Sequence, residues 1–141
     1  MDQKENELRN FIRLDGVLVT EPKIYENAIQ IIVGTYSHKK NTKREYIQCD
    51  RFTCSFSDEK SIATIKYKEP KQGWRVRVEG TVETNVSKRR YPTRTHITGT
   101  SITLSNEAPL TPEEEKIISE EENRNAYEEE FVNSVLRNWM I

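Results

Sequence analysis

Apolar and charged residues alternate almost without error from Gly73 to Val82, so that Trp74, Val76 and Val78 point one way and Arg75, Arg77 and Glu79 the other. A period of two marks a strand with one face in a core and the other in water. The same pattern predicts four more strands. Phe11 to Val19 carries Ile12, Leu14 and Leu18 on one parity, with Gly16 inside the run. A glycine within a strand signals a bulge or a sharp bend, as at a barrel corner. Glu21-Pro22 ends this strand, since proline cannot donate to a ladder. Ala28 to Tyr36 is rich in β-branched residues, and Arg44 to Cys54 and His96 to Leu104 complete the set.

The connections are polar. Ser37 to Lys43 reads as a basic hairpin loop, Pro70 to Gly73 as a turn, and Asn85 to Arg94 as a polar loop containing Lys88-Arg89-Arg90-Tyr91-Pro92. Ser57 to Lys68 is either a short helix, capped by Ser57 or Asp58 with Ile62, Ile65 and Tyr67 on one face, or a further extended segment. After residue 105 the chain changes character. Thr111-Pro112-Glu113-Glu114-Glu115 combines a capping hydroxyl, a proline in the first turn and carboxylates at the positive end of the dipole. Helix is expected over most of 112–139, with a break near Asn123 to Asn125. Tyr127, Phe131, Val135 and Leu136 form a narrow apolar stripe at i, i+4, i+8 and i+9.

Charge divides along the same boundary. Residues 1–104 hold 19 lysines and arginines against 13 acids, a balance of +6, while 105–141 hold three against ten, or −7. A basic body with an acidic tail suggests a polyanion-binding domain and a partner-seeking or self-repelling appendage. The chain of 141 residues divides into a flexible N-terminus (1–9), one domain (10–105) and an acidic, mostly helical tail (106–141). No apolar run approaches the roughly 20 residues a bilayer needs, and nothing resembles a signal peptide. Cys49 and Cys54 then read as reduced structural thiols of a cytoplasmic protein. They lack a second pair at zinc spacing, so no metal is expected. His38 and His96 stand in unrelated contexts, and no phosphate cradle or nucleophile elbow occurs, so neither an enzyme nor a cofactor is expected.

Five strands, a short element between the third and fourth, and a first strand bent at glycine describe a mainly β protein: a five-stranded OB-fold barrel with a C-terminal α-helical tail. Its third strand places Tyr46 and Phe52 on one parity, and either ring could stack on a ligand or belong to the core. Exposed rings beside guanidinium groups are what a surface needs to stack bases and hold phosphates. Candidate phosphate contacts are Lys39, Lys40, Lys43 and Arg44 in the first basic loop, and Lys88, Arg89, Arg90 and Arg94 in the second. Arg51, Arg75 and Arg77 either extend that surface or pair with Glu79 and neighbouring acids.

Three segments in order carry a resemblance. Asn10 followed by Leu14-Asp15-Gly16-Val17-Leu18 and Glu21-Pro22, then Arg44-Glu45-Tyr46-Ile47-Gln48-Cys49, then Gly73-Trp74-Arg75-Val76-Arg77-Val78-Glu79-Gly80 are similar to the bacterial and phage single-stranded DNA-binding proteins over about residues 10–104. The resemblance implies sequence-independent binding of single-stranded DNA in replication, recombination or mobile-element transfer. By position it assigns stacking roles to Tyr46 and Phe52, and it sets Tyr36 and Tyr91 near two further stacking positions, each in a loop. The tail departs from the family pattern, since it lacks a flexible linker and closes in Trp139-Met140-Ile141. Its stripe, with Trp139, could pack on its own barrel, join a homo-oligomer, or enter the groove of a replication or recombination protein. The alternative function is an OB-fold accessory of a primosome or replication complex whose main ligand is a protein; RNA binding on the same surface is a third.

Overall fold

The computed structural model describes residues 10–85 and 94–139. Among these residues six strands and two helices follow one another: β1 (Ile12–Leu18), β2 (Lys23–Ile24), β3 (Ile29–Lys40), β4 (Glu45–Phe56), α1 (Glu59–Lys68), β5 (Arg75–Asn85), β6 (Arg94–Ser105) and α2 (Pro112–Trp139). The hydrogen-bonded order is β1-β5-β6-β4-β3-β2, and β1 returns to β3 at Val17↔Gly34 and Leu18↔Val33. That pairing closes five strands into a barrel, with β2 as a two-residue addition on the edge of β3. Two residues are too few to show a period, which is why the sequence pattern does not reveal β2. Among the described residues the one parallel pairing, β4 with β6, spans only Cys54 to Phe56.

The core is what the alternation predicts for β1, β3 and β5. Leu18, Ile29, Ile31, Val33, Val76 and Val78 are buried together with Cys54, Phe56, Ile97 and Leu104, and Trp74 packs against them. On β6 the parity changes: Ile102 and Leu104 face inward opposite Val78 and Val76, yet further up it is Ile97 that meets Val82. The register shift at Glu79/Gly80 inserts one residue in β6, and a single extra residue turns every later side chain to the other face. At the entry to β1 the Asn10 side chain donates to Val82 O and accepts from Val82 N, tying that end of the barrel to β5.

Gly16 supplies the expected close approach, for a Cβ there would lie 2.2 Å from Gly34 O. Its lack of a side chain lets β1 cross onto β3 while still paired with β5.

Between β4 and β5 the helical alternative holds. Asp58 is the N-cap, accepting from Ser61 N at 2.9 Å, and Glu69 in the left-handed region (φ 47°) ends the turn. Ile65 is buried and Ile62 half-buried, so α1 closes the barrel end where β1 and β6 finish. Tyr67 does not share that face and is 89% exposed. Two residues along a helix turn the side chain by some 200°, which carries Tyr67 away from Ile65.

Two further expectations are corrected. Ser37 to Lys40 is strand, not loop, because Glu45 to Gln48 supply its ladder partners and a polar ribbon needs no core. The tail helix runs unbroken through Asn123 to Asn125 for 28 residues. Its start is a capping box: Thr111 Oγ1 accepts from Glu114 N at 3.3 Å, and Glu114 Oε1 accepts from Thr111 N at 2.9 Å. Ile117 then drops onto the barrel beside Val17 and Val19. The slot exists because residue 34 is glycine; a Cβ there would lie 2.3 Å from Ile117 Cγ2.

Candidate nucleic-acid interface

β3 and β4 pair for twelve residues each, from Ile29↔Phe56 to Lys40↔Glu45, whereas β1 and β6 touch them only near the barrel. The outer half therefore projects as a two-stranded ribbon. At about 3.3 Å per residue its last six residues reach roughly 20 Å beyond the closed barrel. Its tip is an Asx turn in which Asn41 Oδ1 accepts from the backbone N–H groups of Lys43 (2.8 Å) and Arg44 (2.9 Å). Lys39, Lys40, Lys43 and Arg44 thus gather at one end of the molecule.

The ribbon has two faces, set by register. Lys39, Ser37, Thr35 and Val33 lie opposite Tyr46, Gln48, Asp50 and Phe52 on one face; His38, Tyr36 and Gly34 lie opposite Ile47, Cys49 and Arg51 on the other. On the first face Tyr46 is 38% exposed, and the Arg44 guanidinium sits 6.0 Å from its ring centroid. This is cation–π distance, and it leaves a flat ring braced beside a positive charge. Further down the same face Phe52 reaches the barrel, where it packs against the core and also lines an open cleft of about 450 Å³. Ile12, Leu14, Val82 and Ile97 form the apolar part of that cleft, with Arg13 and His96 at its border. It opens at the end of the barrel opposite α1. Phe52 therefore belongs to both alternatives left by parity: it is half core and half cleft wall.

Tyr36 lies inside β3 and not at its end, and it does not join Tyr46. It is a β3 residue opposite Cys49, edge-on to His38 with ring centroids 5.9 Å apart, on the reverse face. The odd register offset between the two tyrosines places them on opposite sides of the same ribbon.

The three arginines of the central strands already have carboxylates. Arg77 Nε donates to Asp15 Oδ1 at 2.6 Å across the β1–β5 pair, not to Glu79. Arg75 grips Glu114 with two bonds, Nε to Oε2 at 2.9 Å and Nη2 to Oε1 at 2.8 Å, and also donates to the carbonyls of Ala108 and Pro109. Arg51 Nη2 donates to Glu121 Oε1 at 2.8 Å. Burial alone would push the Glu114 carboxyl up, but the Arg75 guanidinium and the Thr111 N–H and hydroxyl outweigh it and hold the group below its usual value. The same hydrogen bond raises the Arg75 pKa further. On this face Cys49 lies half-buried under α2, its thiol pushed up first by desolvation and then by Glu120. Cys54, inside the barrel, is pushed by burial to about 12.

Glu114, Ile117 and Glu121 are residues that sequence reasoning overlooked. They follow at i, i+3 and i+7, a helix face of two acids around one isoleucine, and Gly34 inside an otherwise β-branched strand marks where that face lands. Beyond Glu121 the stripe stands in solvent, with Tyr127 72% and Phe131 62% exposed and Val135 and Leu136 also exposed. Lys88, Arg89, Arg90 and Tyr91 lie outside the described residues, as does the N-terminal segment 1–9; Arg94 and Trp139 belong to β6 and α2, but their side chains are not described.

A closed five-stranded barrel with a helix between its third and fourth barrel strands has counterparts among solved structures. A Plasmodium falciparum single-stranded DNA-binding protein in complex with single-stranded DNA superposes with a TM-score of 0.62 at 19% identity, covering 71% of this chain and 97% of that one. The chain is an OB-fold. The S. cerevisiae mitochondrial single-stranded DNA-binding protein Rim1 matches the OB barrel at 0.56 and 15% identity, over 70% of this chain and 98% of that one. A small single-stranded DNA-binding protein from Mycoplasma pneumoniae matches at 0.51 and 13%, over 74% and 100%. At these identities the likeness is one of fold. No family model and no curated protein matches the chain.

Proposed function

We propose that this OB barrel binds single-stranded DNA without sequence preference, along the ribbon face that carries Tyr46. The observation that carries the reading is the exposed Tyr46 ring, braced by Arg44, between a basic ribbon tip and the Phe52 cleft on one continuous face. Rings offer every base a π-face to stack on, and the lysines and arginine at the tip meet the backbone, which is a sequence-tolerant arrangement. The basic segment from Lys88 to Tyr91 adds to it by composition. Similar folds in solved structures include one in complex with single-stranded DNA, which supports the same ligand here. The duty that follows is holding exposed single strands during replication, recombination or transfer of a mobile element. Assembly into a homo-oligomer through the uncovered distal stripe of α2 completes the reading.

A second reading is favoured by that stripe: an OB-fold accessory whose main ligand is a protein, bound by Tyr127, Phe131 and Leu136. Titration of the full chain with a thymidylate oligonucleotide, the matching duplex and single-stranded RNA, at several salt concentrations, separates the two. Tighter binding of the single strand, with affinity falling as salt rises, is the expected result. Duplex binding of equal or greater affinity overturns it, and absence of nucleic-acid binding favours the protein ligand.

A further inference from the structure

Arg51 is the guanidinium nearest in sequence to Phe52; residue 51 lines the same cleft, while its side chain turns to the reverse face of the ribbon. A cation in that position would be expected to serve phosphate. Instead its Nη2 is held at 2.8 Å by Glu121, whose side chain is only 3% exposed, while that of Arg51 is 33% exposed. This asymmetry decides which anion keeps the arginine. A phosphate arriving from solvent is hydrated and screened, whereas Glu121 is a buried carboxylate whose described hydrogen-bond partner is Arg51. Withdrawing Arg51 would leave a buried charge unpaired, one of the costlier changes a folded protein can undergo.

The rest of the α2 contact points the same way. Ile117 fills the Gly34 slot, Arg75 holds Glu114 and two connector carbonyls, and Lys116 Nζ reaches Ile47 O at 3.4 Å. The proximal part of α2 is thus fixed over the face of β4 that carries Ile47, Cys49 and Arg51. Glu120 and Glu122 flank the contact and repel a phosphate backbone. We propose that the proximal half of α2 is the border of the nucleic-acid path: Glu121 withholds Arg51 from phosphate, and the strand is confined to the Tyr46–Phe52 face. Glu121 acts through Arg51 and touches no ligand; it is a positioning residue. The inference rests on the proposed binding of single-stranded DNA.

The test is the salt dependence of binding to a thymidylate oligonucleotide of about 16 nucleotides, the upper end of one OB-fold's site. Each phosphate contact contributes about 0.7 to the slope of log K against log salt for a single strand. Arg51→Gln is expected to leave the slope of the full chain unchanged. Glu121→Gln is expected to tighten binding and steepen the slope by up to about 0.7, because it frees one guanidinium. The double variant is expected to return to the original slope. In parallel, maleimide labelling of Cys49, which α2 half-covers while Cys54 is fully buried, is expected to be no faster with oligonucleotide than without. A flatter slope in Arg51→Gln overturns the inference, as does faster labelling of Cys49 on binding, which would mean that α2 lifts. If either single variant fails to fold, Arg51→Gln because it leaves the Glu121 carboxylate buried without its guanidinium, the other single variant, the double variant and the labelling decide the matter. Failure of the unmodified chain to bind overturns the proposed function and this inference with it; binding with a flattened Arg51→Gln slope overturns only the inference.

Discussion

Tyr46 and Phe52 sit on one strand at one parity and yet have different physical positions. Tyr46 lies on the ribbon where, among the described residues, β3 is its only partner strand, so its ring is open on one side. Phe52 lies where the barrel begins to close, and it shares the core cluster with Ile12, Leu14 and Val82. Their alanine variants separate accordingly. Tyr46→Ala is expected to cost about 1–3 kcal/mol of binding, the usual worth of one stacked base, with the melting temperature nearly unchanged. Phe52→Ala is expected to lower both affinity and melting temperature, since it opens a cavity as well as removing a cleft wall. Titration and thermal denaturation of the two variants check this. A melting loss in Tyr46→Ala comparable to that of Phe52→Ala would make the tyrosine structural.

Each of the two elements that carry the proposed site and its border is an extension of the barrel. The β3–β4 ribbon continues a ladder past the core, and α2 continues the chain back across the outer sheet face. What anchors α2 is electrostatic as well as apolar. Glu114 is held below its usual carboxylate value of 4.5 by Arg75 and the Thr111 cap. A group with a depressed folded-state pKa contributes stability above its unfolded value, and that contribution fades as pH falls through the folded one. The unmodified chain is therefore expected to melt higher than Glu114→Gln at neutral pH, with the gap closing as pH drops below 4.5. Melting curves of both proteins across that range are the measurement. A gap that stays constant would assign the stabilisation to packing at Ile117 instead.

At the scale of the molecule, four cations gather at the ribbon tip, acids line α2, and an apolar stripe stands exposed on its distal part. The distal stripe has no partner among the described residues of its own barrel, since Tyr127, Phe131, Val135 and Leu136 are all exposed. A helix draws most of its stability from packing an apolar face, so a partner is expected there, and a second copy of the chain is the proposed one. Removing residues 124–141, which leaves Ile117 and Glu121 in place, is expected to lower the oligomer order in sedimentation while oligonucleotide binding persists. Identical sedimentation of the full and shortened chains would assign the stripe to a different protein.

Much of this was legible in the residues themselves. Alternation at 73–82, the glycine in the first strand, the polar and basic turns, the capping signal at Thr111-Pro112 and the charge change near residue 105 are local properties, and a local period determines which residues form a strand or a helix whatever surrounds them. Only the tertiary structure decided which side of each element faces what. The extra residue in β6 turns Ile97 inward beside Ile102 of opposite parity, although that mismatch stands in the sequence. Barrel closure determines where Phe52 stops being ribbon, and the β3–β4 register puts Tyr36 behind Tyr46. Arg51 and Glu121 are separated by 70 residues, and so are not neighbours in any periodic pattern. Arginine reads as a phosphate ligand or as half of an ion pair with equal ease until the chain folds and one carboxylate arrives buried beside it.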